Sequence, residues 1–376
     1  MLSIYIHIPY CVGKCLYCGF YSTPYLAQDA DEFLSGLSVE AEYRQINLSN
    51  RHIESIYIGG GTPTVLSLAQ LAQLINIIKL YFPFDDHAEF TVEANPNTVT
   101  KNGLTFLLEQ GVNRLSLGIQ SFSAQALAGL GRLHTVEQAT DAFRHARSAG
   151  FKNIGIDLIY GIPGQTKPQW QETVDAALAL KPEHISAYSL SLDEGSEFMR
   201  LAKMKQFALP EDELTAEMYE RAVSTLSRAG YQRYEISNFC LPGFECRHNQ
   251  NYWDRGEYLG LGPGASSFLA GKRYDNIADS VEYARRLSRG LSAIENEETV
   301  GGDSAAREMI LLGLRTARGV DLVRFQREHG TEFLKRLETN VGCLEAAGLL
   351  LVTEGHLKLT DRGFLLSDAA LTRLCV

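Results

Sequence analysis

No stretch of the 376 residues is both long and apolar enough to span a bilayer. The opening Met1-Leu-Ser-Ile-Tyr-Ile-His7 lacks the basic start and cleavage site of a secretory signal, so the expected compartment is the cytoplasm, with a peripheral membrane contact left open. A basic excess is missing too. The formal net charge of −10 argues against general affinity for a nucleic-acid backbone, which rests on neutralising phosphates with lysine and arginine. Local basic patches can still meet anionic groups, so the balance points to a small ligand without naming it. Internal repeats and low-complexity segments are absent. Cysteine is scarce: the chain has seven, an odd number that suits a reducing compartment better than a disulfide scaffold. What is present, 45% hydrophobic and 21% charged residues, is the composition of a globular protein long enough for more than one domain.

Three of the seven cysteines crowd into Cys11-Val-Gly-Lys-Cys15-Leu-Tyr-Cys18, directly after a strand-like run. A lone cysteine is usually a small buried hydrophobe. Here the C-x3-C-x2-C spacing, with Gly13 and Gly19 in the same loop, lets three sulfurs face one centre. Three ligands instead of four suggest an iron–sulfur cluster with one open iron position. A zinc site completed by Cys240, Cys246 or a histidine is the rival at this stage.

Short β-rich runs alternate with helical patterns through the first half. Ser3 to Ile8, Ser55 to Ile58, Phe90 to Glu93, Arg114 to Leu117, Ile154 to Ile159 and His184 to Leu190 read as strands separated by helices. The expected fold class is α/β, a partial (β/α)6 barrel whose ligands gather at the carboxyl ends of the strands. The cysteine loop, Gly59-Gly-Gly61, Glu93, Gln120 and Asp157 all fall at those ends. Beyond residue 200 the rhythm fades, and Tyr234 to Ser267 reads as irregular. The tail carries helices and a hairpin around Gly355, a smaller, mainly helical, winged-helix-like region. The expected division is 1–200 for the barrel, 201–300 for a connecting region that also carries the His248 to Trp253 motif, and 301–376 for the tail.

Gly59-Gly-Gly61-Thr62-Pro63 follows a strand and precedes a helix, so its backbone can approach a polar head group closely; alone, a plain tight turn explains it equally well. Its company is more specific. Tyr5-Ile-His7-Ile-Pro9-Tyr-Cys11, the cysteine loop, the glycine run, Val92-Glu93-Ala-Asn-Pro96, Ser116-Leu-Gly-Ile-Gln120-Ser-Phe122 and Asp157-Leu-Ile-Tyr-Gly161-Ile-Pro163 occur in one order. Together they resemble the radical S-adenosylmethionine proteins related to oxygen-independent coproporphyrinogen III oxidase. The resemblance implies that Cys11, Cys15 and Cys18 hold a [4Fe–4S] cluster and that S-adenosylmethionine takes the open iron. It further implies that Tyr5, Tyr17, Gly60, Gly61, Thr62, Glu93, Gln120, Arg132 and Asp157 line the S-adenosylmethionine site, fed by an electron donor. Glu93 and Asp157 are suited to accept hydrogen bonds from ribose hydroxyls.

Two branches of that family differ in class. The oxidases continue the loop to a further cysteine, where this chain has Phe20, and carry a long extension before the first strand, where this chain begins. Both departures turn the expectation away from the oxidase reaction, which stays the alternative together with radical chemistry on another tetrapyrrole. The heme-chaperone branch is marked by C-x3-C-x2-C-x-F and H-N-x-x-Y-W. This sequence has Cys18-Gly-Phe20 and His248-Asn249-Gln-Asn-Tyr252-Trp253. The resemblance therefore implies heme as cargo, acceptor hemoproteins as partners, and His248 as the iron ligand. Tyr252 and Trp253 would offer apolar surface to the porphyrin face, and Arg247 would meet a propionate. Ser266 stands where many relatives have histidine, and Cys240, Cys246, Cys343 and Cys375 match no family role.

Overall fold

Alternating strand faces and strong helix caps shape the first half of the chain. In the computed structural model, which describes residues 2–48 and 51–375, strand β1 (Leu2–Ile8) leads into β2 (Tyr10–Cys11). This short strand pairs with β3 (Thr23–Pro24) and closes the cysteine loop at its base. Then come α1 (Ala27–Gln45), β4 (Ile53–Gly60), α2 (Leu68–Tyr81), β5 (Glu89–Ala94), α3 (Lys101–Glu109) and β6 (Arg114–Gln120). The series ends with α4 (Ala124–Gly129), α5 (Val136–Ala149), β7 (Ile154–Tyr160), α6 (Lys167–Leu180) and β8 (His184–Ser189). Strands β1, β4, β5, β6, β7 and β8 pair in that order, all parallel. Helices α2, α5 and α6 each open on a capping box, Ser67 with Gln70, Thr135 with Gln138 and Thr166 with Gln169, which satisfies amide groups the first turn leaves free. One face of the strands is apolar: Ile4, Ile6, Ile56, Phe90, Val92, Leu115, Leu117 and Ile156 are all 0% exposed and pack in the main core.

Residues 201–300, expected as a connecting region, contribute strands to both edges of the same sheet. After α7 (Glu197–Lys203) and α8 (Asp212–Arg228), β9 (Gln232–Arg233) and β10 (Asn238–Cys240) extend it antiparallel beyond β8. Then α9 (Arg247–Trp253) leads to β11 (Tyr258–Leu261), which lies parallel to β1 as a seventh parallel strand. Strands β12 (Ser266–Leu269) and β13 (Lys272–Asn276), helix α10 (Ser280–Ser288) and β14 (Ile294–Thr299) complete the 12-stranded sheet. The segment Tyr234 to Ser267 is thus more regular than its composition suggests. Strand β11 is hard to read because Gly260 interrupts it, and that glycine is required: a side chain there would strike the Ser266 carbonyl.

The C-terminal region has its own apolar cluster, including Ile310, Phe325, Leu357 and Leu374. It comprises α11 (Gly302–Gly313), β15 (Val320–Asp321), α12 (Leu322–His329), α13 (Glu332–Ala346), β16 (Leu350–Thr353), β17 (His356–Leu359), α14 (Asp361–Leu365) and α15 (Ser367–Cys375). Its three strands form a small antiparallel sheet in the order β15-β17-β16. Among the described residues no helix is long and apolar enough to cross a membrane. A shared carboxylate ties this region to the large sheet: Glu308 on α11 accepts from Arg255 at 2.7 Å and also from Arg273 on β13. Replacing Glu308 with alanine removes the carboxylate shared by two half-buried guanidinium groups, leaving Arg273 with Glu298 and Arg255 with the Val300 carbonyl, and should cost about 1–3 kcal/mol. Thermal unfolding should show a clear loss for Glu308→Ala. Glu298→Ala, which removes a more exposed partner of Arg273, should stay within about 0.5 kcal/mol of the parent. Equal losses would show that Glu308 is no special anchor.

Candidate functional site

Alternate residues of a strand face opposite sides of the sheet, so the face turned away from the helices is set by every second position. On β6 these positions are Arg114, Ser116, Gly118 and Gln120; on β8 they are His184, Ser186 and Tyr188. All seven line one cavity of about 410 Å³. The cavity runs from the cysteine loop, at the carboxyl ends of the strands, down to Arg114 and His184, the first residues of theirs.

Most of the residues expected at the site meet there. Cys11, Cys15, Tyr17, Cys18, Gly60, Gly61, Thr62, Glu93, Gln120, Arg132 and Asp157 all border this cavity. The glycine run is laced onto the end of β1: the Gly61 amide donates to the Ile8 carbonyl at 2.8 Å and the Thr62 amide to that of Tyr10 at 2.7 Å. Side chains would not fit. At Gly60, with φ of +100°, one would run into the His7 ring, and at Gly61 one would meet both carbonyls. This lacing sets the Thr62 hydroxyl 3.5 Å from the Cys11 sulfur. Gln120, at the irregular end of β6, holds a left-handed φ of 67°, a strained conformation for a residue with a side chain.

Three charged groups organise the mouth. Arg132 donates to the Cys15 sulfur at 3.3 Å and to the Gly118 carbonyl at 2.6 Å. Glu93 accepts from the Tyr57 hydroxyl at 2.7 Å and from the Gly60 amide at 3.2 Å. Asp157 accepts from the Ser116 hydroxyl at 3.1 Å. Burial pushes the Glu93 carboxyl up to about 7, the Tyr57 hydrogen bond opposing and the neighbouring Asp157 charge adding to the shift. Burial likewise raises Asp157, against its serine hydrogen bonds.

Cys11, Cys15 and Cys18 are free, half-buried thiols on the wall of this cavity, with the Arg132 cation beside one of them. Among the described residues, no three His, Cys, Asp or Glu side chains are grouped so as to hold a single metal ion. A tetrahedral zinc site needs sulfurs within roughly 4 Å of one another. Cluster ligands bind separate irons and stand farther apart. Of the residues weighed as a fourth zinc ligand, Cys246 is engaged elsewhere, donating to Glu89 at 3.4 Å.

Comparison with known proteins agrees with this geometry. Residues 5–177 match the model of the radical SAM superfamily, and residues 302–366 that of the HemN C-terminal domain. The fold superposes on the coproporphyrinogen III oxidase HemN of Escherichia coli with a TM-score of 0.88 at 24% identity, covering 100% of this chain and 90% of that one. The heme chaperone HemW of Lactococcus lactis is 38% identical over 97% of this chain and 95% of its own. That of Bacillus subtilis is 36% identical over 98% and 97%. The chain belongs to the HemW family. Its radical SAM membership implies a [4Fe–4S] cluster and S-adenosylmethionine as cofactors.

In this HemW-family chain the two branch-marking features lie at opposite ends of the strands, although Asn249 of the second borders the same cavity as Phe20. Phe20 is 63% exposed and borders the mouth of the cavity. His248 sits on α9, against the opposite, amino ends of the strands, and is only 1% exposed. Neither His248 nor Tyr5 lines the cavity. Tyr5 instead bonds His7 at 3.1 Å and packs obliquely on the Tyr57 and His248 rings. Glu89, at the start of β5, accepts from the Arg247 and His248 amides at 3.0 and 3.1 Å, an anion at a helix N-terminus. Both His248 ring nitrogens are engaged, Nδ1 with Ser55 at 2.9 Å and Nε2 with Tyr252 at 3.0 Å. Burial, with Arg114 nearby, brings His248 down to about 3, so the ring is neutral.

The motif reading missed Arg114, His184, Ser186 and Tyr57. A signal was available, because Ser55-x-Tyr57-x-Gly59, Arg114-x-Ser116-x-Gly118-x-Gln120 and His184-x-Ser186-x-Tyr188 place polar residues or glycine on one strand face.

Glu93 gives this site a measurable pH signature. Its carboxyl loses a proton near 4.5 when unfolded and near 7 when folded. The stability held by the neutral form is thus complete below 4.5 and is lost as pH rises through 7. In the ligand-free protein, Glu93→Gln should match the parent near pH 4 and unfold at a higher temperature than the parent at pH 8. A pH-independent gap would show that Glu93 does not titrate in this way.

Proposed function

We propose that this chain is a cytoplasmic heme chaperone that binds heme and transfers it to acceptor hemoproteins, drawing on a [4Fe–4S] cluster and S-adenosylmethionine served by an electron donor. The observation that carries the reading is the 38% identity, along nearly the whole of both chains, to a protein named as a heme chaperone. Phe20, in place of a further cysteine, and the His248 to Trp253 motif support the same branch.

In this reading Cys11, Cys15 and Cys18 hold the cluster, which with S-adenosylmethionine supplies one-electron chemistry. Arg132 offsets the negative charge of the thiolates from its place beside Cys15. Gly60 and Gly61 present backbone to the methionine end, while Glu93 and Asp157 accept the ribose hydroxyls. Tyr17, Thr62 and Gln120 complete the wall. Replacing Glu93 or Asp157 by its amide should weaken S-adenosylmethionine binding by about 10-fold or more, since hydrogen bonds to charged groups contribute about 1.5–3 kcal/mol. Unchanged binding in calorimetry would remove that residue from the site. Alanine at Cys11, Cys15 or Cys18 should abolish the visible absorption of the reconstituted cluster, whereas alanine at exposed Cys343 should not.

Heme is assigned to His248, with Tyr252 and Trp253 at the porphyrin face and Arg247 toward a propionate. Ligation needs the Tyr252 hydroxyl to release Nε2 and α9 to expose the ring, since the imidazole is buried in the ligand-free fold. Titration with heme should show at least 10-fold weaker binding and a shifted Soret band for His248→Ala. Tyr252→Phe, which removes the competing hydroxyl while keeping the ring, should bind several-fold more tightly than the parent. Identical spectra and affinity for His248→Ala and the parent would displace the site from His248. Product formation from coproporphyrinogen III by the reduced, reconstituted protein would overturn the carrier reading in favour of the oxidase.

A further inference from the structure

The deepest part of the cavity carries donors without acceptors. Arg114 is 2% exposed, and its Nε and Nη1 have no hydrogen-bond partner among the described residues. A guanidinium remains charged in proteins, and burying it without an acceptor costs several kcal/mol. Glu89, Glu93 and Asp157 all feel its charge, yet Glu89 already accepts from the Arg247 and His248 amides and the Cys246 thiol, Glu93 from Tyr57 and Gly60, and Asp157 from Ser116. These acids offset charge without meeting the free N–H groups.

A second donor stands beside the first. The Tyr234 hydroxyl accepts from the Cys246 amide at 3.3 Å and lies 2.9 Å from His184 Nε2. A phenol that accepts there keeps its one proton to give to Nε2, and in that arrangement the neutral imidazole carries its proton on Nδ1. That Nδ1 is buried and unpartnered. Between the two side chains lies Gly155: a Cβ built on it would sit 3.4 Å from His184 Nδ1 and 3.6 Å from Arg114 Nη2. The missing side chain leaves a cradle open.

We propose that Arg114 and His184 form a carboxylate-binding floor beneath the mouth of the cavity, with Gly155 providing the room. The planar fork of an arginine matches the two oxygens of a carboxylate, and the imidazole N–H adds a third donor. The unpartnered N–H groups of Arg114 lie at the floor and not on the wall lined by Glu93 and Asp157, so a carboxylate settles at the floor. The ligand is a small free acid or the carboxylate arm of a larger molecule. The floor stands on this geometry alone and does not rest on the heme reading.

The test is thermal unfolding of the full-length ligand-free chain in sodium propionate against sodium chloride at equal ionic strength. Propionate should raise the parent midpoint by a few degrees and leave Gly155→Ala and Arg114→Met unmoved. Gly155→Ala makes only ordinary contacts and keeps the test valid should Arg114→Met fail to fold. Heme and its dimethyl ester, titrated into parent and Gly155→Ala, separate the sources. Esterification that weakens binding to the parent alone identifies a tetrapyrrole propionate; equal effects on both identify a free acid. A propionate shift as large in Gly155→Ala as in the parent, or no shift in either, overturns the floor. Loss of heme binding with the propionate shift retained would refute the chaperone reading and leave the floor standing.

Discussion

A parallel strand that is apolar on its helix-facing side and polar on the other must find hydrogen-bond partners for buried polar groups, and this requirement governs the structure. Tyr57 donates to Glu93, Ser116 to Asp157, and Arg132 to both Cys15 and a backbone carbonyl. Each pair joins residues from different strands or loops, so satisfying these groups also fixes where the elements stand. Apolar packing against the helices supplies most of the favourable free energy of burial. The polar pairs decide the shape and charge of the cavity.

The same network links its two ends. Tyr57 reaches Glu93 through its hydroxyl while its ring lies against His248, with centroids 5.0 Å apart at 31°. The helix bearing His248 is held in turn by Glu89 at its N-terminus and by Ser55 on its imidazole. Glu93 at the mouth is therefore one side chain away from His248. Tyr57 thus bridges the wall of the cavity and the helix that carries His248.

Much of this was legible beforehand. The βα alternation, the cysteine loop, the glycine run and the strand-end carboxylates could be placed at one mouth, because parallel strands bring their carboxyl ends together whatever lies between them. Strand β11 was not legible, since Gly260 weakens its strand pattern while meeting a need, room for the Ser266 carbonyl, that only the folded hairpin creates. Residues 201–300 likewise looked like a connection because pairing at both edges of a distant sheet leaves little local trace.

The amino-acid order by itself determined the parallel α/β architecture, the three-thiol loop and the family, since each is written in local spacing: periodicity, ligand separation and runs of motif. Only the tertiary structure decided which buried groups are satisfied. That His248 has both nitrogens occupied, while Arg114 and His184, the side chains beside Gly155, keep unpartnered nitrogens, depends on contacts between residues far apart in the chain. Hydrogen-bond partners at such separations are set by strand register and packing, and no short stretch of sequence encodes them.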